Sequence, residues 1–89
     1  MLKSTLTISN KLGLHARASA KLTKLAGGFQ CEVFLSRNGR RVNAKSIMGV
    51  MMLATGMGSQ VELETDGVDE AAAQQAITAL VDDKFGEGE

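Results

Sequence analysis

The hydrophobic pattern of this chain switches between a period of two residues and a period near 3.6, and the order of those switches limits the folds it can adopt. Leu2, Ser4, Leu6 and Ile8 alternate with Lys3, Thr5, Thr7 and Ser9, which predicts a first strand. A loop over residues 10–14 follows. From Ala16 the apolar positions Ala18, Leu22, Leu25 and Ala26 fall at helical intervals, until Gly27 and Gly28 stop the helix. Cys31, Val33 and Leu35 alternate again, Asn38 and Gly39 give the strongest hairpin signal in the chain, and Val42 lies on the returning strand. Ser46 opens a short helix with Ile47, Met48, Val50, Met51 and Leu53, closed by Gly56 and Gly58. Val61, Leu63 and Thr65 alternate with Gln60, Glu62 and Glu64 in a fourth strand, half buried and half wet. Beyond Asp66 and Gly67, Asp69 is expected to cap a last helix whose inner face carries Ala73, Ala76, Ile77, Leu80 and Lys84, with Glu70 near its positive end. The tail over 86–89 is expected to fray.

The resulting order, β-α-β-β-α-β-α, segregates helices from a four-stranded sheet and predicts an α+β sandwich with one sheet face covered and the other open. The same order of elements also fits a ferredoxin-like sheet, so the pattern leaves the strand order undecided. With 89 residues the chain suits one domain spanning 1–89. It contains no run approaching the ~18 to 20 apolar residues that cross a bilayer, and residues 1–5 do not open a secretory signal. A cytoplasmic protein is expected. Cys31 is the only cysteine, so an intramolecular disulfide is impossible, and its strand-like surroundings suit a buried structural thiol.

Formal charge sums to zero, yet nine of the ten basic residues lie in 1–45 and nine of the ten acidic residues lie in 46–89. A nucleic-acid partner is disfavoured, because Trp and Tyr are absent and the three Phe residues are scattered. A basic patch on a neutral domain instead suits an acidic protein partner.

The single histidine has a telling address. His15 ends a glycine-containing loop (Lys11, Leu12, Gly13, Leu14) and sits at the N-cap of the first helix, where unpaired backbone N–H groups welcome an anion. A neutral imidazole keeps one nitrogen free to attack phosphorus, and the amides of Ala16 and Arg17 could then bond the phosphoryl oxygens. Arg17 adds a fixed charge in the first turn. The chain carries no Walker-type lysine motif and no carboxylate cluster beside the loop, and one His with one Cys cannot build a protein-only zinc site. No metal or cofactor is expected.

Lys11, Leu12, Gly13, Leu14, His15, Ala16, Arg17, Ala18 and Ser19, with Lys45, Ser46, Ile47, Met48 and Gly49, resemble the histidine-containing phosphocarrier (HPr) family of the bacterial phosphoenolpyruvate-dependent sugar phosphotransferase system. The likeness runs over the whole chain, and both motifs and their spacing match without gaps. It implies an open-faced β-sandwich, with three helices over one face of a four-stranded antiparallel sheet. It also implies that His15, as a pros-phosphohistidine, takes its phosphate from Enzyme I and gives it to Enzyme IIA components, with Arg17 stabilising the group. The chain would be a monomeric, stoichiometric carrier and not an enzyme. Ala18 stands where the family usually has proline, which leaves the helix intact with a less rigid start. Lys24 matches the family's basic partner-facing residue, whereas Ala20, Gly27 and Gly49 replace polar or charged ones. A small acylphosphatase-like phosphatase, a purely regulatory family member and the nitrogen-related phosphotransfer branch are the competing readings.

Ser46 is an ordinary N-cap for the short helix. In many members of the family the matching serine is phosphorylated by HPr kinase/phosphorylase, so a regulatory role for Ser46 is implied as well. Val50, Leu53 and Ala54 can supply the buried face of that helix, which leaves Ile47, Met48 and Met51 for an adaptable contact surface flanked by Arg17 and Lys24.

Overall fold

The computed structural model describes residues 1–53 and 55–87. Four strands form where the alternation is strictest: β1 (Leu2–Thr7), β2 (Glu32–Arg37), β3 (Arg40–Asn43) and β4 (Gln60–Asp66). Three helices occupy the stretches of helical spacing: α1 (Ala16–Gly27), α2 (Ile47–Met51) and α3 (Glu70–Asp82), followed by a single 3-10 turn at Lys84–Gly86. Asn38 and Gly39 both take positive φ, as a two-residue hairpin turn of the primed type requires between β2 and β3.

The sheet order is β1-β4-β2-β3, and every neighbouring pair is antiparallel. That decides between the two topologies left open by the pattern. β1 and β2 therefore run parallel with β4 between them, and α1 bridges them. β3 and β4 run parallel across β2, and α2 bridges those. Register places Leu6 opposite Val61, and Leu63 between Ser4 and Leu35. These side chains share the inner face with Ile8 and Val33, and α1 lays Ala18, Leu22 and Ala26 over them, α2 Val50, and α3 Ala73, Ile77 and Val81. Each large side chain removed from water in this way contributes about 1.5 to 3 kcal/mol before the entropy of ordering it.

The opposite face is polar but not uniformly wet. Glu64, expected on the wet side, is only 7% exposed. Arg41 donates to its Oε2 at 3.0 Å, and the guanidinium lies 3.6 Å over the Phe34 ring, so the stacked arginine roofs the carboxylate.

Three further expectations need correction. Asp69 makes no side-chain cap to α3; its carboxylate accepts instead from the N–H groups of Gln30 and Cys31, at 2.8 Å each, and ties α3 to the start of β2. Those two amides hold the Asp69 carboxyl below the ordinary carboxylate range, Gln30 contributing most. Lys84 does not continue the face of α3, which ends at Asp82. Residues 86 and 87 do not fray: Phe85 is fully buried, Lys21 Nζ donates to its carbonyl at 2.6 Å, and Glu87 is held by the contacts given below. Ala54, assigned to the buried face of α2, and residues 88–89 of the tail lie outside the described residues. Among the described residues, no helix is long and apolar enough to cross a membrane.

Candidate functional site at the head of the first helix

The loop before α1 is closed by its own polar groups. Asn10, fully buried, accepts from Gly13 N–H at 3.2 Å and donates through Nδ2 to Gly13 O at 2.8 Å. Leu14 N–H donates to Thr55 O at 3.1 Å. Gly13 has a φ of +67°, and a Cβ there would stand 2.3 Å from Thr55 O, so only glycine fits. The loop is thereby fixed in direction as it delivers His15.

His15 is extended (φ −75°, ψ −178°) and caps α1: its carbonyl accepts from Ser19 N–H at 2.8 Å, and its ring Nδ1 accepts from Arg17 N–H at 3.3 Å. Ring nitrogen Nε2 meets Glu87 Oε2 at 2.5 Å, and the other carboxylate oxygen accepts from Asn10 Nδ2 at 3.0 Å. The Asn10 bond, with His15 assisting, holds the Glu87 carboxyl below its ordinary value despite partial burial. Glu87 is therefore ionised at neutral pH, and Nε2 of a neutral imidazole must carry the proton it shares with that carboxylate. The lone pair is left on Nδ1, at the head of the helix.

Around the ring lies an open cleft of about 790 Å³, lined by Lys11, Leu12, His15, Ala16, Arg17, Lys21, Gly86 and Glu87. Arg17 is exposed, and its guanidinium enters no ion pair among the described residues. A cation in the first turn opposes the helix dipole, which favours anions there by about 0.3 to 1 kcal/mol. The arrangement suits a visiting anion better than it suits the helix. Among the described residues, no cluster of three potential metal ligands exists.

Ser46 does cap α2, its Oγ accepting from Gly49 N–H at 3.2 Å. Val50 and Leu53 are buried, whereas Ile47, Met48 and Met51 are exposed, Met48 by 72%. Met52 and Leu12 are exposed as well, Leu12 at the His15 cleft. Lys24 lies seven residues beyond Arg17 on α1, hence on the same side, about 10 Å along the axis. None of Lys24, Ser46, Ile47, Met48 or Met51 lines the His15 cleft. Sequence reasoning also missed Asn10 and Glu87. The one local signal was a large aromatic, Phe85, two residues before Glu87; its burial anchors this segment.

The family model described as the PTS HPr component phosphorylation site matches residues 2–83. The phosphocarrier protein HPr of Cupriavidus necator is 67% identical over 89 residues, covering 100% of both chains. Among solved structures, HPr-C-His from Thermoanaerobacter tengcongensis superimposes with a TM-score of 0.95 at 41% identity, covering 98% of each chain. An HPr dimer from the same organism gives a TM-score of 0.79 at 41% identity, covering 98% of this chain and 100% of that one. These relatives favour neither the acylphosphatase-like alternative nor the nitrogen-related branch. The chain belongs to the HPr family, the phosphocarrier proteins of the phosphotransferase system.

Proposed function

We propose that His15 is the phosphoryl acceptor of this carrier and that Nδ1 is the attacking atom. The observation that carries this is the position of Nδ1, 3.3 Å from the Arg17 amide in an open, basic cleft. The Nδ1 lone pair forms the new bond to phosphorus while the bond to the donor nitrogen or oxygen breaks. The Arg17 N–H, which loses its acceptor at that moment, turns to a phosphoryl oxygen, joined by the Ala16 amide and the Arg17 guanidinium. A helix end contributes about 0.3 to 1 kcal/mol and each charge-assisted bond about 1.5 to 3, enough to hold the group without trapping it.

Enzyme I is the donor and Enzyme IIA components are the acceptors in this reading. The chain is a monomeric stoichiometric carrier in the cytoplasm, not an enzyme, and it uses no metal or cofactor. Arg17, Lys24, Ile47, Met48 and Met51 form the face that meets these partners, a basic and apolar mixture suited to an acidic surface. Phosphorylation of Ser46 by HPr kinase/phosphorylase adds about −1.5 to −2 charges beside that face and repels the same partners. Incubation with phosphoenolpyruvate and Enzyme I should add one acid-labile phosphoryl group to the intact mass, and none to His15→Ala. Sustained release of free phosphate would point to an enzyme instead. A Ser46→Asp variant that accepts phosphate at the native rate would remove the regulatory reading.

A further inference from the structure

We infer that Glu87 is a positioning residue for His15: its carboxylate holds the Nε2 proton while Nδ1 accepts and releases the phosphoryl group. This rests on His15 being the acceptor. The first support is geometric. Both carboxylate oxygens are committed, Oε2 to His15 Nε2 at 2.5 Å and Oε1 to Asn10 Nδ2 at 3.0 Å, and Asn10 is itself fully buried and bonded to Gly13 O in the loop that carries His15. Glu87 and His15 are thus held by a common support.

The second support is the effort made to bring Glu87 there. Lys84 and Phe85 have φ of +53° and +56°, a region that L side chains enter only at a cost. Two such residues in succession persist because Phe85 is fully buried and Lys21 grips its carbonyl. A tail that merely covered the helix would not need this turn. The turn reverses the chain after α3 and delivers the carboxylate to the imidazole.

The chemistry follows from charge. When Nδ1 of neutral His15 bonds to phosphorus, the ring becomes an N-phosphoimidazolium with its proton still on Nε2 and a formal positive charge. No proton has to leave. Glu87 faces that charge; the other ionic groups lining the cleft, Lys11, Arg17 and Lys21, are all cations, and the Lys21 ammonium is committed to Phe85 O, so Glu87 is the one carboxylate lining it among the described residues. During acceptance the carboxylate stabilises the cation as it forms. During release it keeps the ring protonated, so that the phosphoryl group departs from a neutral imidazole, a far better leaving group than imidazolate. One residue therefore assists both directions of transfer, as a carrier requires.

Glu87→Gln keeps the side-chain shape and one acceptor while removing the charge. In rapid-quench transfer from phosphorylated Enzyme I, its kcat should fall about tenfold while KM stays within about twofold, the loss of one charge-assisted interaction made chiefly in the transition state. Glu87→Ala should show the same loss, and added acetate should restore part of it, whereas acetate should not rescue His15→Ala. Should Glu87→Ala fail to fold, Glu87→Gln alone decides. Native kcat in Glu87→Gln overturns the inference, and so does a raised KM with unchanged kcat, which assigns Glu87 to docking. A native chain that takes no phosphate on His15 would sink the preceding reading, an outcome separate from both.

Discussion

Helices α1 and α2 begin on side chains that accept a backbone N–H from their own first turns: His15 Nδ1 from Arg17 at 3.3 Å, and Ser46 Oγ from Gly49 at 3.2 Å. Their surroundings diverge. α1 runs 12 residues, opens beside Lys11, Arg17 and Lys21, and has its capping ring fixed from behind by Glu87 and Asn10. α2 runs five residues, carries no charged side chain, and is bordered by Lys45, whose ammonium is engaged with Phe29 O at 2.8 Å. A cap satisfies a helix in both places; at α1 a cationic surround, an acceptor ring nitrogen and an open cleft converge on it as well.

The sharpest way to break this contrast is substitution at the two caps. His15→Ala should abolish phosphate uptake from Enzyme I, while Ser46→Ala should retain it, as intact mass will show. Equal loss in both would make the two ends chemically alike.

Next in size is the entry to each helix. Gly13→Ala forces a Cβ against Thr55 O at a positive φ and should lower urea-unfolding stability by about 2 to 4 kcal/mol. In Gly49→Ala the new Cβ meets Asn43 O at 3.2 Å, an approach that α2 can relieve, and helix propensity offsets it; a change under about 1 kcal/mol is expected. A Gly13→Ala chain of native stability would show that the His15 loop is not rigidly built. Ser46→Ala, a plain cap loss, should cost about 1 kcal/mol in the same titration.

The smallest effect separates the two ends by pH. Because the Glu87 carboxyl titrates below its ordinary value when folded, its contribution is fully present above the unfolded carboxyl value near about pH 4 and is lost as pH falls through the depressed one. The acid limb of the stability curve should therefore be shallower in Glu87→Gln and unaltered in slope in Ser46→Ala, since Ser46 has no titrating partner. Asp69→Asn should flatten the same limb through the Gln30 and Cys31 amides.

Much of this molecule is legible in its local pattern. Strand alternation, the Asn38 and Gly39 turn, the Gly27 and Gly28 stop and both helix caps are properties of neighbouring residues, and the open-faced sandwich follows once they are ordered. The address of His15 is equally local. What could not be read are the contacts joining distant segments. Glu87 reaches a histidine 72 residues away, and its glycine-flanked sequence reads as a fraying end until Phe85 is seen to be buried. Asp69 has the position of a helix cap, but the Gln30 and Cys31 amides, 39 and 38 residues away, claim its carboxylate. Glu64 alternates like a wet residue and is roofed by Arg41 from two strands away in the sheet. In each case tertiary placement offered a polar group a better partner than its neighbours did.

The central claim is that the Nδ1 lone pair of His15, preset by the contacts on both ring nitrogens, is where phosphate is carried. The direct measurement is NMR of the chain labelled with 15N at histidine and phosphorylated by Enzyme I and phosphoenolpyruvate. The account predicts one-bond 31P–15N coupling to Nδ1, with Nε2 still protonated. Phosphate on Nε2, phosphate on another residue, or no phosphate at all would contradict it.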